Sequence, residues 1–274
     1  MQVRNSHRVW QAGVLATEAK SVTESPPERQ DKIASWLATP VGEALLAQEA
    51  RLMERALDSV FGEYCLQLGQ WGGRSAFQRY ARTQRSLLVS EPGGVLAATD
   101  PSAVGHLHRL PLCSESVDAV ILPHTLEYSG RPHAILREVH RVLRADGHLI
   151  ILGFKPGGLW GLRRLIPGAG MPPAMDALIA DRQLCDWLKL LDLHIHGVTR
   201  YFFRWPLPGN RTLDTQLWEQ RGRRWWPELA ACYMLSAQKR VIPLTTVRMP
   251  WRAKPKVVGG LVKPTTRNLP DRDS

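Results

Sequence analysis

The stretch from Leu110 to Leu162 constrains the fold more than any other part of the chain. The apolar run Ser116 to Leu122 is short, partly β-branched and bounded by turn residues, which predicts a buried strand. Ser129-Gly130-Arg131-Pro132 then marks a helix start, because a first-turn proline forfeits no hydrogen bond. Ile135, Leu136, Val139, Val142 and Leu143 recur at helical spacing and form one apolar stripe. Asp146-Gly147 should stop this helix, with Gly147 taking the left-handed conformation. A second buried strand, His148 to Leu152, follows and runs into the loop Gly153-Phe154-Lys155-Pro156. Strand, crossover helix and strand of these lengths make a βαβ unit, the building block of parallel sheets. Ligands of such sheets sit beyond the carboxyl ends of the strands, here Pro123–Glu127 and Gly153–Pro156.

Leu110-Pro111-Leu112, Ser116-Val117-Asp118, Leu136-Arg137-Glu138-Val139, Arg141-Val142-Leu143 and Asp146-Gly147 follow one another in a spaced series. The series resembles the LPF, S-F-D and L-R-E-x-x-R-V-L-x-P-G-G pattern of class I S-adenosylmethionine (SAM) dependent methyltransferases of the type 11 family. The likeness is densest from Gly105 to Gly153 and looser from Trp36 to Gln238. The segments HTLEY and GFKPGGLWGLRR look like a bacterial branch of that family. The resemblance implies a doubly wound, mostly parallel, seven-strand-like α/β sheet, with SAM as cofactor and a methyl acceptor that the sequence does not identify.

The family's cofactor positions map onto this chain with substitutions. Tyr64 to Gly69 is expected as the first strand, turning through Gln70-Trp71-Gly72-Gly73, where the family has an acidic residue and then G-x-G-x-G. Glycine is needed there because the backbone passes within contact distance of the cofactor. Gln67 stands at the acidic position and Trp71 at the middle glycine, while Gly69 and Gly73 remain. Gln67 can accept a hydrogen bond but brings no charge. The Trp71 indole either fills the cleft or swings aside to stack on adenosine; otherwise the turn keeps the fold without binding SAM. Arg85 to Ser90 is expected as the second strand. Glu91 at its end matches the residue that accepts from both ribose hydroxyls, with Asp100 as runner-up. Gly105 to Leu112 aligns with the family's G-D-A-x-x-L-P-F, which puts His106 and Leu107 at the adenine and His106 in place of an aspartate. Pro123 closes the cofactor side at the fourth strand end. His124 is the candidate general base, expected to face the cleft, and Glu127 is a second candidate or a partner that orients it. Both could instead form a buried hydrogen bond that fixes the loop.

Charge divides the chain. Lys+Arg and Asp+Glu balance over residues 1–150, so the net charge of +11 falls wholly in 151–274. That asymmetry fits an anionic partner, whether nucleic acid, membrane surface or substrate, or a basic tail that aids solubility. A catalytically inactive protein of this fold, binding a partner or nucleic acid through its basic half, is the alternative function. No apolar run reaches the roughly 20 residues that span a bilayer. Residues 1–30 have no continuous apolar region of the kind a signal peptide carries, so a cytoplasmic protein is expected. Cys65, Cys113, Cys185 and Cys232 make no CxxC pair and read as small apolar residues in a reducing compartment. The pairs His106/His108 and His194/His196, each expected on one strand face, lack further ligands nearby, so no metal is expected.

Organisation follows the same lines: a disordered N-terminus over 1–30, a methyltransferase-like domain over 31–240 and a basic disordered tail over 241–274. Within the domain, Trp36 to Val60 is expected as a helix capped by Thr39, and Gly157 to Ile166 as a short helix. Asp181 is expected to cap a helix carrying Leu184, Trp187, Leu188 and Leu191. Strands are expected over His194 to Thr199 and Ala230 to Gln238, the last antiparallel. An Arg/Trp-rich cap around 157–227 mixes Trp205, Trp218, Trp225 and Trp226 with Arg204, Arg211, Arg221, Arg223 and Arg224. Such a mixture suits base stacking with phosphate pairing, or tryptophans that pack the cap beneath solvated arginines.

Overall fold

A computed structural model of the chain describes residues 26–71, 77–92, 102–158, 160, 173, 175, 177–203, 222 and 224–240. Gly73, most of the cap and the tail beyond 241 therefore lie outside the described residues, as does most of the expected 157–166 helix.

Seven strands form one sheet: β1 (Phe61–Leu68), β2 (Arg82–Ser90), β3 (Ser102–Val104), β4 (Val117–Pro123), β5 (Leu143–Phe154), β6 (Leu193–Tyr201) and β7 (Cys232–Lys239). Their spatial order is β3-β2-β1-β4-β5-β7-β6. All neighbours are parallel except at β7, which runs antiparallel to both β5 and β6. The chain reverses its direction of travel across the sheet between β1 and β4, where a doubly wound fold opens its ligand crevice.

The central strands read as continuous apolar runs because both their faces are covered. Leu66, Leu68, Val120, Leu122, Leu149 and Ile151 face one core. That core includes Ile135, Leu136 and Val139 of α3 (Pro132–Val142) and Leu184 and Leu188 of α4 (Asp181–Leu190). Cys65, Ala119, Ile121, Ile150, Leu152 and Phe154 face the other, with Ile33 and Trp36 of α1 (Pro26–Leu37) and Leu45, Met53 and Leu57 of α2 (Pro40–Leu57). The expected helix from Trp36 is thus two helices. Thr39 caps α2, its hydroxyl accepting from the Gly42 N–H, and Pro40 occupies the first turn as its ring geometry favours. The start of α1 at Pro26 makes the last residues of the segment 1–30 helical rather than disordered.

Several local expectations are corrected. The crossover helix ends at Val142, and Leu143 opens β5 opposite Val117. Asp146, not Gly147, takes the left-handed conformation, at φ 61°. Aspartate tolerates that region, and Gly147 serves a different need: a Cβ there would stand 2.8 Å from Leu143 Cγ. Asp181 is the first residue of α4 and Ala180 its cap; the Asp181 carboxylate instead accepts from Arg200 at 2.9 Å. His106 and His108 lie in a turn beyond β3, not on a strand. His194 and His196 do lie on β6, and no metal-holding cluster occurs among the described residues. Cys65 and Cys232 are buried as expected, whereas Cys113 is exposed. Burial and the nearby Asp118 push the Cys65 thiol up to about 12, so it stays protonated and inert. Among the described residues no helix is long and apolar enough to cross a membrane.

Asp118 ties the entry of β1 to β4. Its carboxylate accepts from the Glu63 and Tyr64 N–H groups at 2.7 and 2.9 Å and from Arg144 at 3.1 Å. Direct pairing between these strands begins only at Cys65 opposite Ala119, so the side chain does the work of the missing ladder. Burial alone would raise its pKa; the two backbone N–H groups and Arg144 hold it below the usual carboxylate range. Asp118→Ala is expected to cost about 1–3 kcal/mol, because two backbone donors lose their acceptor. Urea unfolding of the variant beside the parent measures this.

Candidate active site

The carboxyl ends of β1, β2, β3 and β4 bring most of the expected cofactor residues to one edge of the sheet. Gly69 follows β1, Glu91 follows β2, His106 and Leu107 follow β3, and Pro123 ends β4. Their spacing in sequence gives no such neighbourhood; parallel pairing does. Gly69 N–H donates to Val89 O at 2.8 Å and Gly105 N–H to Ser90 O at 2.9 Å, which stitches three of these ends together. Leu107 is buried in the core, whereas His106 is exposed.

Gly69 has φ +88°, a conformation closed to most side chains, and an added Cβ would lie 2.7 Å from Thr125 Oγ1. That hydroxyl is itself fixed, donating to Leu68 O. Gly69→Ala should therefore cost about 1–3 kcal/mol in backbone strain and displacement of Thr125. Chemical denaturation checks this, and an unchanged midpoint would contradict it.

Gln67 is consumed within the turn. Its Nε2 donates to Gly69 O at 3.2 Å and its Oε1 accepts from Phe77 N–H at 2.8 Å, clasping the loop between β1 and the following 3-10 turn. Trp71 turns inward beneath α2, 2% exposed, and donates from Nε1 to Glu49 Oε2 at 2.8 Å. Its indole centroid lies 4.3 Å from His124 and 6.1 Å from Phe154.

His124 does not face the cleft. It is fully buried at φ 55°, with Nε2 2.8 Å from Glu49 Oε1 and Nδ1 3.1 Å from Glu127 Oε2. Glu127 Oε1 in turn accepts from the Phe154 N–H, and the Tyr201 hydroxyl donates to Glu49 Oε1 at 3.0 Å. Burial disfavours the charged imidazole, but the Glu49 carboxylate and the hydrogen bonds the ring donates to Glu127 and Glu49 outweigh it and hold its pKa at about 9. The ring is then an imidazolium at neutral pH, both N–H groups donating, with no lone pair for an acceptor proton. A general base needs one, so this geometry does not fit that role.

Sequence reasoning missed Glu49 and Tyr201. Glu49 did carry a signal: it falls four residues after Leu45 and four before Met53, a carboxylate within the buried stripe of α2. Buried charges need partners, so it had to have one. Tyr201 carried none.

Among the described residues Ser90 Oγ, Gln70 Oε1 and Gln78 Oε1 are buried with no hydrogen bond, and Glu91 has no partner.

Comparison with known proteins agrees with this geometry. Residues 89–151 match the family described as "Methyltransferase domain". The uncharacterized Escherichia coli protein YafS is 29% identical over 212 residues, 77% of this chain and 82% of that one. Malonyl-[acyl-carrier protein] O-methyltransferase of Laribacter hongkongensis is 40% identical over 74 residues, a quarter of its own length. Among solved structures, a Haloferax volcanii methyltransferase complex containing the Trm112 activator superposes with TM-score 0.52 at 15% identity, covering 76% of this chain and 98% of that one. The strand order and the glycine turn at the tip of β1 give this chain the fold of that solved methyltransferase, and its residues 89–151 carry the matched methyltransferase-domain signature.

Proposed function

We propose that the protein transfers a methyl group from SAM to an acceptor whose identity the site does not fix. The observation that carries this reading is the parallel strand order, which brings Gly69, Glu91 and His106 to the carboxyl ends of adjacent strands at the switch point of the sheet, within and beside the stretch that matches a methyltransferase-domain signature. Glu91 would accept from the ribose hydroxyls, His106 and Leu107 would border the adenine, and the backbone at Gly69, with Pro123, would complete the contact surface. Bound SAM supplies a methyl group already activated as a sulfonium, so the protein's work is positioning and exclusion of water.

The remaining residues act on the shape of the site. Gln67 holds the turn closed through Gly69 and Phe77. Trp71, Phe154, Trp160, Tyr201 and Phe202 make a dry apolar floor beneath it. His124 and Glu127 are positioning residues in this account: they lock the end of β4 to β5 and to α2.

Glu91→Ala tests the assignment. Loss of a charged acceptor should weaken SAM binding by roughly tenfold or more while leaving the melting temperature of the free protein nearly unchanged. Equilibrium dialysis with labelled SAM measures the affinity. Equal affinity in variant and parent would remove Glu91 from the site.

A further inference from the structure

We infer that the turn carrying Trp225 and Trp226 docks this protein onto an anionic membrane surface. Trp225 is 68% exposed, Trp226 57% and Leu229 38%, three large apolar side chains on a few consecutive residues. Most of the other large apolar residues described are buried. Exposed clusters of this kind mark interaction surfaces.

The turn is pinned, which separates it from a loose loop. Trp226 N–H donates to Gly222 O at 2.9 Å and Leu229 N–H to Trp226 O at 2.9 Å. Gly222 packs on the Phe203 ring so closely that a Cβ would come within 2.4 Å of it. Glu228, between the exposed residues, is held by the buried Lys155 and by Arg200, the latter also bound to Asp181. These contacts fix the backbone and turn the indoles outward.

Charge selects the occupant. The Glu228 carboxylate is neutralised by its two cations, and Arg182 lies near it, so around the turn Lys155, Arg200 and Arg182 outnumber Asp181 and Glu228. Arg224 is exposed with no partner among the described residues, and Arg221 and Arg223 flank it in sequence. Indole rings settle at the interface between headgroup and acyl chain, arginines pair with anionic headgroups, and an aliphatic Leu229 inserts where a nucleobase would offer it nothing. The turn also leads directly into β7, whose first residue, Cys232, pairs with Phe154 at the carboxyl end of β5. It therefore stands at the sheet edge that carries the candidate site. A lipid-borne methyl acceptor is the class such docking would serve, a clause that rests on the methyl-transfer reading; the docking does not.

Vesicle flotation of the full-length protein, without SAM, tests the inference apart from catalysis. The protein should float with vesicles of phosphatidylcholine mixed with phosphatidylglycerol and far less with phosphatidylcholine alone. The Trp225→Ser/Trp226→Ser variant should lose on the order of tenfold or more in partitioning, with an unchanged melting temperature, since both side chains are in solvent. Brominated lipids should quench the parent's tryptophan fluorescence and spare that of the variant. Failure to float with anionic vesicles, or equal flotation of the variant, would overturn the proposal; the latter would make the basic residues alone responsible. Binding of single-stranded RNA that the same double substitution abolishes, without flotation, would assign the turn to nucleic acid instead.

Discussion

Replacing Glu49 by alanine should lower the stability of the domain by about 3–5 kcal/mol, the range expected when one member of a buried charge network is removed. Three donors converge on this carboxylate: Trp71 Nε1, His124 Nε2 and the Tyr201 hydroxyl. All four side chains are almost fully buried, so water cannot replace the lost acceptor. For a domain of this size the change corresponds to a melting-temperature drop of about 10 °C. Glu49→Gln should cost less, because an amide oxygen still accepts while the charge is lost. Calorimetry of parent and both variants decides it. A loss under roughly 1 kcal/mol for Glu49→Ala would mean that these donors find other acceptors.

The second large effect is on pH. The His124 imidazole titrates near 6.5 in the unfolded chain and at about 9 in the fold, where burial opposes its charge but Glu49 and Glu127 more than offset that penalty. Because the folded value is the higher one, the contribution is complete below about 6.5 and lost as pH rises through about 9. A shift of this size is worth roughly 3 kcal/mol. Glu127, raised chiefly by its own burial, tilts stability in the same direction. Urea midpoints should therefore fall between neutral pH and the upper end of that window, and His124→Gln should flatten the fall. A parent midpoint that rises across the same window would show that His124 is neutral in the fold.

The architecture was legible because it depends on local pattern. The stripe Ile135, Leu136, Val139 and Val142, the Thr39-Pro40 start and the apolar runs of β4 and β5 each speak within a few residues. The parallel order then carries Gly69, Glu91 and His106 to one edge by topology alone. The interior of the site was not legible, because its decisive contacts join distant segments: Glu49 meets His124 across 75 residues and Tyr201 across 152. His124 looked like a base because a histidine at a strand end commonly faces ligand; two carboxylates enclosing it reversed that. Gly147 misled in the opposite way, since a glycine after aspartate at a helix end serves left-handed geometry or close packing, and only the neighbouring Leu143 decides between them.

The central claim is that the turn at Gly69 and the strand end at Glu91 hold an adenosyl group although Trp71 and Gln67 stand where the resembled methyltransferases carry a glycine and an acidic residue. Isothermal titration of the full chain with S-adenosylhomocysteine tests it directly, because this ligand carries the adenosyl group and cannot be turned over. Saturable binding at one site per chain is expected, with stabilisation of roughly 2.7 kcal/mol at a hundredfold excess over Kd. Neither heat nor a shift in melting temperature at millimolar ligand would contradict the account and leave the fold without its cofactor.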